Sequence, residues 1–130
     1  MAAGYTFGKS VELPFEQAIE RVTAALSSEG FGVLTEIDVA ATLKKKLGKE
    51  IPPYRILGAC NPQFAHRAIE AEPQIGALLP CNVVVRQDAK GQTFVEIMDP
   101  QSVMQLVGRS EVAEIGAEVR KRLERVLAAL

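Results

Sequence analysis

Two apolar segments joined by a tight turn constrain the fold more than any other feature. Leu79 to Arg86 carries Val83-Val84-Val85, Asp88-Ala89-Lys90-Gly91 supplies turn residues, and Thr93 to Met98 resumes the apolar pattern. Two strands with no helix between them pair as an antiparallel hairpin. A strict alternation of strand and helix around a parallel sheet is thereby excluded, and the expected class is α+β.

The rest of the chain fits that class. Tyr5 to Val11 alternates with the period of a half-buried strand. Pro14 opens a helix whose Phe15, Ala18, Ile19, Val22, Ala25 and Leu26 form one stripe, ended by Gly30. Phe31 to Ile37 returns to a period of two. Asp38 is placed to cap a short helix, with Lys44, Lys45 and Lys46 at its negative end and Gly48 beyond it. Those lysines read as a solvated helix terminus rather than an anion site. Tyr54 to Ala59 is a third strand, and Asn61-Pro62 starts a helix running to about Ala71. Asp99-Pro100 begins a short helical turn, and Ser110 is placed to cap a last helix carrying Val112, Ile115, Val119, Leu123, Val126 and Leu130. The whole of residues 1–130 reads as one domain, with no repeat or linker. The helices at 14–29 and 110–129 are expected on the same face of the sheet, since each stripe is broad enough to need a sheet beneath it.

Charge narrows the function classes. Fifteen Lys and Arg against sixteen Asp and Glu leave a net charge of -1, which lacks the basic footprint of a nucleic-acid binder. The chain has two tyrosines and no tryptophan, a poor aromatic platform for stacking bases. No segment approaches the roughly eighteen apolar residues of a membrane span, and the start of the chain does not resemble a signal peptide, so a cytoplasmic protein is expected.

The reactive side chains converge on one stretch. Cys60 precedes Asn61-Pro62, His66 follows one turn later, and Cys81 stands after Leu79-Pro80, which accounts for both cysteines and the single histidine. A helix N-terminus favours a thiolate at Cys60, and helical side chains lean back toward that terminus, which would bring His66 toward it. With Cys81 as a third ligand, the set would suit a divalent metal such as zinc, or thiol redox chemistry. The competing reading is simple packing, because free cysteine behaves as a small buried hydrophobe and a histidine off the apolar stripe is ordinarily exposed. No Cys-x-x-Cys or His-x-x-x-His spacing is present, and Gly30-Phe31-Gly32 follows a helix rather than a strand, the wrong context for a dinucleotide site. Glu36, Glu96 and Asp99 are not brought together by any motif.

The order of Cys60-Asn61-Pro62, Leu79-Pro80 before Val83 to Val85, Gly91, and Asp99-Pro100 resembles a bacterial family known as domain of unknown function 302. Cys60 stands where that pattern often has glycine, and Cys81 directly follows its Leu-Pro. The resemblance implies a fold like one repeat of the TATA-binding protein, β-α-β-β-β-β-α, with a curved, mainly antiparallel sheet of about five strands covered by helices on one face. It also implies antiparallel pairing of the third and fourth strands, which sets Cys60 beside Cys81. It brings no activity, and the DNA-binding use of the fold does not transfer to a chain of this charge.

Two functions are therefore expected to compete. One is a small-ligand-binding or homodimeric interaction module, with Cys60, Asn61, His66 and Cys81 as ligand-binding residues and an uncovered sheet face, including Leu34 and Leu57, as the dimer surface. The other is the metal or redox protein built on Cys60, His66 and Cys81.

Overall fold

Alternating side chains define five strands, β1 (Thr6–Val11), β2 (Gly32–Asp38), β3 (Tyr54–Cys60), β4 (Cys81–Gln87) and β5 (Thr93–Met98). In the computed structural model, which describes residues 4–130, they form one sheet in the order β1-β5-β4-β3-β2. Every neighbouring pair is antiparallel. The hairpin read from sequence is the pair β4 and β5, in which Val83 faces Ile97 and Val85 faces Val95. All four side chains are fully buried.

Five α-helices accompany the sheet among the described residues: α1 (Phe15–Ser28), α2 (Val39–Leu47), α3 (Pro62–Ala71), α4 (Pro100–Met104) and α5 (Ser110–Ala128). The stripes of α1 and α5 enter the same core as the inward residues of β3, β4 and β5. The two helices touch each other, and α1 touches β4 and β5, so both lie on one face as expected. Helices α3 and α4 pack on α5 and extend that layer. Helix α2 buries no residue, and Lys44, Lys45 and Lys46 sit in its last turn before a left-handed Gly48.

Several local expectations change. Leu57 does not belong to the uncovered face: it is 0% exposed, and its register against Val83 points it into the core. Leu34 is 67% exposed at a register shift in β2. Pro14 stands at the cap of α1 rather than inside it, and Ser110 is the first helical residue of α5, with no side chain capping that helix. Asp38 and Asp99 do cap α2 and α4, accepting from Ala41 N at 2.9 Å and from Gln101 N at 2.9 Å.

Each of the three scattered carboxylates belongs to its own arginine. Glu36 holds Arg55 at 3.0 Å, Glu96 holds Arg86 at 2.6 Å, and Asp99 holds Arg120 at 2.6 Å. Burial alone would push the Asp99 carboxyl up, but the Ser102 hydroxyl and Arg120 outweigh it and hold the group below its ordinary value.

The face assignment is testable by truncation. Leu57→Ala should lower unfolding stability by about 2–5 kcal/mol, while Leu34→Ala should change it by less than about 1 kcal/mol. Urea denaturation of both variants reads this directly, and equal costs would contradict the one-sided core.

Candidate functional site

The end of β3 and the start of α3 meet at Cys60-Asn61-Pro62. Antiparallel pairing sets Ala59 opposite Cys81, so both cysteines lie at the same end of adjacent strands. Both line an apolar cavity of about 40 Å³, with Phe31, Phe64, Leu79 and Met104 among its walls and no charged side chain in its lining. Helix α5 approaches α4 closely enough to shut its floor because position 116 is glycine. A Cβ there would stand 2.6 Å from the Pro100 carbonyl oxygen. A larger groove of about 410 Å³ beside Arg55 is open and lined by charges. Those charges satisfy one another, Arg55 with Glu16 at 3.1 Å and Lys44 with Glu50 at 3.3 Å.

The two thiols are not activated. Cys81 is 7% exposed, and burial, reinforced by Cys60, pushes it up to about 11. Burial also raises Cys60 above its ordinary value. Desolvation of a thiolate sets the direction of both shifts, opposite to the one expected from the helix terminus.

His66 is not brought to the cysteines. Its side chain is 73% exposed, and Nε2 lies 3.3 Å from Glu70 Oε1 one turn along α3. The reason is the helical phase. Phe64, Ala65 and Ala68 take the cavity side of α3, which leaves His66 and Glu70 together on its outer surface. Among the described residues, no group of three His, Cys, Asp or Glu side chains is placed to hold a metal ion, so the set Cys60, His66 and Cys81 is not assembled.

Asn61 occupies the cap of α3, but its side chain does not bond the first turn. It is 8% exposed and lines the cavity. Beside it, Gly30 adopts φ +84°, and the point where its Cβ would begin is 3.0 Å from Asn61 Nδ2 and 3.5 Å from a terminal guanidinium nitrogen of Arg122. Any larger residue there would suffer backbone strain and press on the Asn61 amide. The Arg122 guanidinium lies 5.1 Å from the centre of the Phe64 ring and donates to the Glu29 carbonyl at 3.3 Å. Its Nε is buried without a partner. Arg122 was not legible as a site residue, because it is brought to Asn61 only by the packing of α5. Its one sequence signal is its place next to Leu123 on the apolar stripe of the last helix.

A one-sided antiparallel sheet, with a small apolar cavity where two of its strands meet three helices, defines a class of α+β domain that the comparisons identify further. The chain matches the family model described as Domain of unknown function DUF302 over residues 7–130, and it belongs to that family. It is similar to the crystal structure of an uncharacterized conserved DUF302 protein from Bacillus stearothermophilus, with 33% identity, a TM-score of 0.90 and coverage of 98% of each chain. Comparison with curated proteins finds no match.

The Cys81 thiol makes stability depend on alkaline pH. Because its folded value is raised from 9.0 to about 11, the contribution is complete below pH 9 and is lost as pH rises toward 11, where the unfolded chain ionises first. Wild type should lose about 2–3 kcal/mol across that interval relative to Cys81→Ala. Urea titrations at several pH values check it, and parallel pH profiles for the two proteins would contradict it.

Proposed function

We propose that this protein is a small-ligand-binding module whose site is the cavity at Cys60, Asn61 and Cys81. The observation that carries the reading is an apolar cavity that has one amide, the 8% exposed Asn61, in its lining. A ligand with one polar end would match an apolar wall that carries a single amide. Apolar concavities with a few convergent polar groups are the ordinary form of small-molecule sites. The cavity's size is in keeping with a few methylene groups, since one water needs roughly 10–15 Å³ by the same measure. Two protonated thiols supply packing surface rather than a nucleophile, so the reading is one of binding without bond making.

Homodimerisation is a second reading, favoured by the sheet face that carries no helix. Ile56, Val84, Phe94 and Met98 share that face by register, together with Ile37, which is 49% exposed. The Arg86–Glu96 pair lies among them, so a two-fold related copy would meet both charges with their complements.

Hexan-1-ol serves as a neutral probe of the cavity. Its addition up to about 20 mM, suited to weak millimolar binding, should shift the amide resonances of Phe64, Ala65 and Ala68 saturably. Ala65→Leu should fill the space and weaken binding at least tenfold without lowering the melting temperature. Absence of saturable shifts in the wild type would overturn the binding reading. For the second reading, sedimentation at about 100 micromolar should give a dimer that Val84→Glu converts to monomer. A wild-type monomer at that concentration would exclude it.

A further inference from the structure

Independently of the small organic ligand proposed above, we infer that the cavity at the end of β3 is a site for a soft monovalent cation, copper(I), held by the sulfur atoms of Cys60, Cys81 and Met104. All three residues line the same space of about 40 Å³. Each comes from a different element, since Cys60 ends β3, Cys81 opens β4 and Met104 closes α4. The strand register sets Cys81 opposite Ala59, next to Cys60, and the charge of the Cys60 thiol is felt at Cys81. Met104 is 4% exposed and its place depends on Gly116, because a Cβ there would stand 2.9 Å from the Met104 Cβ and 3.1 Å from its Cγ.

The chemistry of the donors selects the ion. Thiolate and thioether sulfur are soft ligands that favour copper(I), whereas calcium and magnesium need oxygen ligands, and no acidic side chain lines the cavity. Structural zinc takes four ligands in a tetrahedron, and His66, which a zinc set would need, lies on the outer surface of α3 with Glu70. Both thiols are protonated in the free protein. Entry of the ion breaks two S–H bonds, forms two bonds from copper to thiolate and one dative bond from the Met104 thioether, and releases two protons to solvent, with copper monovalent throughout. The complex carries one net negative charge. It lies beside the N-terminal end of α3, a helix of 10 residues whose first turn no side chain caps, and the positive end of the helix dipole offsets that charge. Walls formed by Phe31, Phe64 and Leu79 keep water from the sulfur-bound ion, which gives the apolar lining and the three sulfurs a common purpose.

Anaerobic titration of the reduced protein with copper(I) in acetonitrile, in competition with a chromogenic chelator, tests the site. One ion per chain should bind, with a thiolate-to-copper charge-transfer band in the ultraviolet and a displaced Met104 methyl resonance. Release of two protons should tighten binding about a hundredfold per pH unit near neutrality. Cys60→Ser and Cys81→Ala should each weaken it by about a hundredfold or more, and Met104→Leu, which conserves volume, about tenfold without lowering the melting temperature. Binding unchanged by Met104→Leu, or zinc bound as tightly as copper(I), would overturn the three-sulfur site. Copper(I) that fails to bind while hexan-1-ol binds would overturn this inference alone, and the opposite result would overturn only the organic-ligand reading.

Discussion

The pairing register of β4 is the constraint on which the rest of the molecule depends. β4 lies at the centre of the sheet, bonded to β3 and β5, and it sends Cys81, Val83 and Val85 into the core while Asn82, Val84 and Arg86 face the other way. A slip of one residue would exchange these two sets and carry the valines out of the helix layer. Because every inward residue of β4 opposes one from a neighbouring strand, the slip would break both pairings. The same register places Cys81 opposite Ala59, so the sheet's hydrophobic pattern also fixes one wall of the cavity.

Helices cover one face only, and this asymmetry explains much of what the sequence did and did not disclose. The strands and the long helices were legible because their periods differ and both stripes are long. The direction of each strand's two faces was less legible. β3 alternates Tyr54 and Ile56 against Leu57 and Ala59, and both sets are apolar, so periodicity separates the sets without saying which one meets α1 and α5. Leu57 was assigned outward for that reason, and its contact with Val83 across the sheet decides otherwise.

The site shows the same division between local and tertiary information. Cys60, Asn61 and Cys81 could be singled out because their chemistry and local context stand in the sequence. The roles first given to Cys60 and His66 rested on helix geometry alone, and two tertiary effects displaced them. Burial raises the Cys60 thiol, and α3 turns its small residues, Ala65 and Ala68, toward α5 so that His66 faces solvent. Arg122 is the converse case, since an arginine beside an apolar stripe is ordinary on any surface helix. Only the placement of α5 against Gly30 and Phe64 turns it into a buried donor.

A final step connects the fold to the cavity's polarity. The three-helix corner around α3 is held by small residues, Gly30, Ala65, Ala68 and Gly116, whose lack of bulk lets α5 come close to α4 and to the end of β3. Close approach removes water from Arg122 Nε, yet no acceptor of the chain reaches it. Tight packing and an unsatisfied donor are thus two results of the same geometry. Buried donors ordinarily find partners, and a core assembled for stability alone would have placed a carbonyl or a carboxylate at this point. Replacing Arg122 with leucine, which keeps the cover over Phe64 and removes the unpartnered donor, should therefore hold or raise stability in the absence of ligand. A melting temperature lowered by more than a few degrees would show instead that the guanidinium's bond to Glu29 and its stacking on Phe64 already offset the cost of its burial.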